Sequence, residues 1–285
     1  MKLVMVKENE IERLAIELEN KFYLVETVNQ SFQTMWPNTF FELITNNKLR
    51  ELQQWVKENE VYIKILPDLT HTKLAPLNRN PRKIWGIGFN YVKEKKELDL
   101  YGAEFEPVTF IKPDTTIIGS DDKIVIPKQS QKVTAEAELA MIIGWECRNV
   151  SEKEALKYVA GYTTALDMTA ADIHARKPHN IARAKSFDTF FSIGSQLITA
   201  DEIEDFQHIH VSTWLNNKKE TENSMGLMIY PPEKIISFLS QDTTLLPGDV
   251  IITGTPGPVT ITEGDRVECQ IEGFTPLLNK VVRMQ

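Results

Sequence analysis

The feature that most limits the fold is a succession of short runs, rich in β-branched and aromatic residues, after residue 78. KIWGIGFN, VTFIKP, DKIVIP, ELAMIIG, HIHVSTWLN, DVIITGT, RVECQIEG and NKVVRM all read as strands. Helical patterns between them are few and do not alternate regularly with the strands. This order predicts a β-rich α+β domain and argues against a doubly wound parallel sheet. Ser151 and Glu154 form a capping-box pattern that predicts a helix through about Val159. Pro231 and Pro232 open another, with Ile235, Phe238 and Leu239 on its apolar face.

Before residue 78 the strand-like runs are KLVMVK, RLAIELE and KFYLVETV. An amphipathic helix follows over residues 48–59, where Leu49, Leu52, Trp55 and Val56 recur at helical spacing. Pro67, Pro76 and Pro81 mark residues 67–82 as a linker. The expected organisation is a small α+β domain over 1–78 and a catalytic domain over 79–285. A chain of 285 residues, 42% of them hydrophobic, can bury cores of that size.

A net charge of −8 disfavours nucleic acid and anionic membrane as partners. No stretch approaches the roughly 20 apolar residues that span a bilayer. MKLVMVKENE lacks the apolar core of a secretory leader. Cys147 and Cys269 stand apart, outside any CxxC pair, so neither a zinc site nor a disulfide framework is expected. Two buried thiols fit a cytoplasmic protein.

The chemistry concentrates in AEAELAMIIG, residues 135–144. Side chains alternate across a strand, so Glu136 and Glu138 share a face. Such a pair alone fits a solvated strand face better than a cation site. The run VAGYTTALDMTAADIH adds Asp167 within an otherwise small and apolar strand, where an unpaired carboxylate is costly. Three carboxylate groups make a plausible site for a hard dication. Lys185, in AKSFDTFF, adds a nearby cation, and TGTP at 253–256 a tight turn with hydroxyls and backbone donors.

Together these stretches resemble the fumarylacetoacetate hydrolase family. GFNY at 88–91, FIKP at 110–113, EAELAMIIG at 136–144, AGYTTALDMTAAD, KSFDTF at 185–190 and LLPGDVIITGTP at 245–256 carry the resemblance, in matching order and spacing. It implies a mixed β-sheet roll or sandwich, usually a homodimer, with a small variable N-terminal region. It implies Glu136, Glu138 and Asp167 as ligands of Mg²⁺ or Mn²⁺, and Lys185 beside the ion to stabilise charge on a substrate oxygen. Tyr91, Thr189 and Thr255 would face a small carboxylate substrate, with His174 lining the same pocket. The implied activity is metal-dependent, catabolic hydrolysis of a C–C bond in a 2-oxo or 1,3-dicarbonyl acid such as an acylpyruvate.

The chain departs from that pattern in two places. Hydrolases of the family carry a His, followed three residues later by a Glu, just after the Asn-Tyr pair. Here Glu94 holds the His position and Glu97 the Glu position. Ala171 stands where the family has a carboxylate-clamping Arg, and His174 where it has a Gln. Glu94, Glu97 or His174 is then the expected base, and His179 or Arg183 the expected substitute for the Arg. The alternatives are a lyase or isomerase of the same family (decarboxylase, dehydratase or tautomerase) and a catalytically silent relative that binds metal and carboxylate.

Overall fold

The computed structural model describes residues 1–69, 72–101, 105–203 and 205–284. Thr70 and His71, inside the expected linker, lie outside the described residues. β1 (Lys2–Glu8), β2 (Ile11–Leu18) and β3 (Lys21–Leu24) form an antiparallel meander. The VETV end of KFYLVETV is helical instead of extended. It opens α1 (Val25–Phe32), because Val25 and Val28 bury one stripe at helical spacing. Thr39 caps α2 (Phe40–Thr45), its Oγ1 accepting from Glu42 N. α3 (Leu49–Ile63) runs beyond the expected end at residue 59, which lets Ile63 reach the core. β4 (Lys73–Leu74) returns to β1.

The remaining strands are β5 (Ile84–Gly88), β6 (Val108–Lys112), β7 (Ile117–Ile118), β8 (Lys123–Ile126), β9 (Val133–Ile143), β10 (Val159–Ala170), β11 (Phe191–Ile193), β12 (Gln196–Thr199), β13 (His210–Leu215), β14 (Lys218–Ser224), β15 (Val250–Ile252), β16 (Val259–Ile261), β17 (Arg266–Ile271) and β18 (Leu277–Arg283). Between them lie α4 (Glu152–Ala155), α5 (Ala171–Arg176), α6 (Ile181–Lys185) and α7 (Pro232–Asp242). α4 is shorter than the capping-box pattern predicts. Ser151 makes no side-chain cap, and the chain tightens into a 3-10 turn at Leu156–Tyr158. β10 must begin at Val159 to pair with Ile143, which leaves the helix no room.

The result is a β-rich α+β architecture with two mixed sheets. The larger follows the path β3-β2-β1-β12-β10-β9-β15-β5-β6, with β4, β7, β11 and β16 attached beside it. Because β1 pairs with β12, strands from both sides of residue 78 share this sheet. The smaller runs β14-β13-β17-β18-β8. One core lies between the sheets, joining Ala135, Ala137, Leu139 and Met141 of β9 to Val267, Cys269 and Ile271 of β17. A second covers the opposite face, where Ala140 and Ile142 join Leu43, Leu52 and other residues of the N-terminal helices. Residues 136 and 138 therefore share the face of Ala140 and Ile142, away from the smaller sheet.

Candidate metal centre

β9 and β10 pair along almost their full length, with Glu136 directly opposite Asp167 and Glu138 opposite Ala165. Residues in direct register share a face, so Asp167 projects beside Glu136. On its other edge β9 pairs with β15 through Ile142, Met141 and Ala140, and with β16 through Ala135, Thr134 and Val133. Between those two contacts the chain from Thr253 to Pro258 leaves the ladder and arches past Glu136 and Glu138. Gly254, at φ 98°, gives the arch its turn and donates its N–H to Glu138 Oε2 at 2.5 Å. The TGTP turn is thus the cover of the glutamate pair.

Carboxylate oxygens of Glu136, Glu138 and Asp167 all lie within 4.8 Å of one another. Glu138 and Asp167 are buried, and Glu136 is partly open. Lys185 Nζ donates to Glu136 Oε2 at 3.0 Å, to Thr169 Oγ1 at 2.7 Å and to Asp167 Oδ2. Lys112 Nζ donates to Asp167 Oδ1 at 2.6 Å and to the Lys185 carbonyl. The FIKP run signals Lys112 by alternation: Phe110 and Lys112 both point inward from β6, an unusual place for a lysine. The structure makes Lys112 a partner of the cluster.

Burial is the largest influence on Glu138 and holds its pKa well above the ordinary range. The charges of Asp167 and Glu136 add to this, and Lys185 and the Gly254 N–H oppose it. Burial pushes the Lys112 ammonium down to about 8, against the pull of Asp167. It also works against the Lys185 charge, but Asp167 and Glu136 outweigh it and raise that pKa. Three carboxylates against two ammonium groups leave one net negative charge in a poorly solvated place. A hard dication fits this all-oxygen donor set and compensates the excess charge.

The cluster floors a cavity of about 500 Å³. Tyr91, His174, Lys185 and Thr255 line it with Lys132, Thr134, Thr169 and Ala171. The other expected residues do not. Thr189 is turned away, with φ 70° and its Oγ1 accepting from Val125 N at 2.9 Å. Glu94 is exposed and pairs with Lys96 at 2.7 Å. Glu97 lies in the 3-10 turn Lys95–Leu100, which buries nothing. The reason lies in how the chain is held just before them. Val92 is pinned, its N donating to Leu227 O at 3.1 Å, and the charged run after it favours water. His179 and Arg183 are also exposed and outside the cavity lining.

Residues 83–282 match the model of the fumarylacetoacetate (FAA) hydrolase C-terminal family. The human mitochondrial oxaloacetate tautomerase FAHD2A is 36% identical over 227 residues, 76% of this chain and 72% of that protein. The structure of the fumarylacetoacetate hydrolase from psychrophilic Exiguobacterium antarcticum superposes with a TM-score of 0.86 at 30% identity, covering all of both chains. The maleylpyruvate hydrolase from Sphingobium sp. SYK-6, in complex with manganese(II) ion and pyruvate, superposes at 0.81 and 24% identity, again over both whole chains. Among the described residues no helix is long and apolar enough to cross a membrane.

Proposed function

The chain belongs to the fumarylacetoacetate hydrolase family, and we propose that it is a divalent-metal enzyme that interconverts the enol and keto forms of a small 2-oxo acid such as oxaloacetate. The observation that carries this reading is the placement of Lys185. Its ammonium is fixed against Glu136 and Asp167 on the cavity wall, while Glu94 and Glu97 lie outside the cavity. A tautomerase needs charge stabilisation at one oxygen and a proton carrier at the adjacent carbon. It does not need a base that activates water.

A Mg²⁺ or Mn²⁺ ion between Glu136, Glu138 and Asp167 would supply Lewis-acid polarisation of the substrate's 2-oxo group. Lys185 presents a fixed positive charge to the oxygen on which negative charge develops. Thr255, on the cavity wall, offers its hydroxyl as a donor to the neighbouring carboxylate. His174 lines the cavity without belonging to the carboxylate cluster. Imidazoles exchange protons near neutrality, so His174 is assigned the proton taken from or given to C3. The likeness to the human tautomerase, at 36% identity, supports the same reading.

Ultraviolet absorbance of enol-oxaloacetate gives the test. Mn²⁺-loaded protein should accelerate ketonisation, chelator should abolish the effect, and Lys185→Met should lower kcat by at least about 100-fold. The second reading is hydrolytic C–C cleavage. It is favoured by the full-length match to the Exiguobacterium protein. Transfer of ¹⁸O from labelled water into a product carboxylate, without accelerated ketonisation, would establish hydrolysis and overturn the tautomerase.

A further inference from the structure

We infer that Lys132 binds the second carboxylate of the substrate and so selects 2-oxo diacids over 2-oxo monoacids. The inference rests on the function proposed above. The argument begins with alternation: Lys132, Thr134, Glu136 and Glu138 are spaced by two, and all four line the cavity. The β9–β10 ladder continues past its last paired residues, with Ala171 N donating to Lys132 O at 2.8 Å. Lys132 thus begins the row that ends at the carboxylate cluster. About 13 Å of strand separates it from Glu136 at a normal rise, and the lysine stem covers a large part of that distance.

The intervening surface is polar. Thr134 faces Thr169 on β10 and Thr260 on β16 in direct register, and all three line the cavity. Running from cation to hydroxyls to carboxylate cluster, the row matches the polarity of a 2-oxo diacid. The chelating end belongs at the cluster and the far carboxylate at Lys132. Ala171 and His174 border the same region, and the alanine methyl leaves space beside the lysine. Lys132 is exposed, and its ammonium pairs with no carboxylate among the described residues.

Charge balance gives the same assignment. A bound dication turns the one net negative charge of the cluster and its two lysines into one net positive charge. A 2-oxo monoacid neutralises that, whereas a diacid leaves one negative charge over. Lys132 supplies the missing cation, and ion pairing within a cavity that excludes part of the water is worth more than at an open surface.

The experiment compares wild type, Lys132→Ala and Lys132→Arg, each loaded with Mn²⁺. It measures KM and kcat for oxaloacetate, and Ki for pyruvate and for oxalate. Pyruvate is oxaloacetate without its second carboxylate, and oxalate needs only the metal. In Lys132→Ala the KM for oxaloacetate should rise by about ten-fold. Its kcat should stay within about two-fold, and both Ki values should not move. Lys132→Arg should stay near wild type. Unchanged KM, or KM and both Ki values rising together, overturns the assignment while leaving the proposed function standing. If wild type neither turns over oxaloacetate nor binds pyruvate or oxalate, the proposed function fails and this assignment fails with it.

Discussion

Lys112 Nζ lies 2.6 Å from Asp167 Oδ1, and both side chains are almost wholly shut off from solvent. Removing one partner of such a pair leaves the other charge buried and uncompensated. Lys185 still holds the second oxygen of Asp167, so the loss should fall at the low end of the range for broken buried pairs. Lys112→Met should therefore lower unfolding free energy by about 3 kcal/mol in the metal-free protein. The cluster then carries more negative charge, and Mn²⁺ should bind more tightly and raise Tm by a larger increment than in wild type. Denaturant titrations with and without Mn²⁺ measure both effects. Unchanged metal-free stability would show that the pair contributes nothing net.

Asp172 holds the turn that precedes β9. Ser130 Oγ donates to its Oδ1 at 2.5 Å and Gln131 N to its Oδ2 at 3.2 Å. Burial acts to raise its pKa, but these bonds and Arg176 outweigh it and the carboxyl sits below its ordinary value. The unfolded chain therefore binds the proton more readily. Stability from this group is complete above the unfolded carboxyl's range and drains as pH falls towards the lower folded value. Asp172→Asn should cost about 1 kcal/mol near neutrality and flatten the fall of Tm below about pH 4. A Tm-versus-pH curve with the same acid limb in both proteins would refute the assignment.

Much of this site was legible because strand alternation is a strict rule. It put Glu136 and Glu138 on one face, and the apolar run around Asp167 marked a carboxylate that needed a partner. The same rule marks Lys112 and Lys132, but each stands in a short run where a lysine reads equally well as solvated. Only the folded structure shows that the Lys112 side chain reaches Asp167 and that Lys132 meets Ala171. The segment after Tyr91 was the least legible part. Whether Glu94 and Glu97 enter the cavity depends on where the chain goes after Val92. That direction is set by long-range contacts with Leu227 and Asn223, which local pattern does not encode. The start of α1 was hidden similarly, since β-branched VETV suits a strand until packing against the core selects the helix.

Tyr91 separates two contributions that one residue can make. Its ring lines the cavity, yet its hydroxyl is buried and finds no hydrogen-bond partner among the described residues. Burial raises its pKa well above the ordinary phenol value. Tyr91→Phe keeps the ring and deletes the orphaned group, so the folded state should be unchanged or more stable by about 1 kcal/mol. KM for oxaloacetate should stay within about two-fold. A large rise in KM would mean that the hydroxyl reaches the substrate.

Gly254 is the residue through which the arch controls Glu138. Its N–H bonds Glu138 Oε2, and its φ of 98° is one that side chains rarely adopt. A Cβ there would lie 2.8 Å from Asn90 Cβ and 3.1 Å from Ile87 O. Asn90 cannot yield, because its amide bridges Thr253 O at 2.7 Å and Tyr230 O at 3.0 Å. Gly254→Ala must therefore shift the arch and weaken the bond that orients the glutamate. The strain should cost about 2 kcal/mol of stability. Loss of an outer partner to a metal-binding side chain typically weakens metal binding by about 10–100-fold, so Mn²⁺ affinity should fall by at least about ten-fold. Calorimetric titration separates the two effects, since strain alone lowers Tm and leaves the Mn²⁺ dissociation constant of the folded protein where it was. An unchanged constant would mean that Glu138 is held without help from the arch.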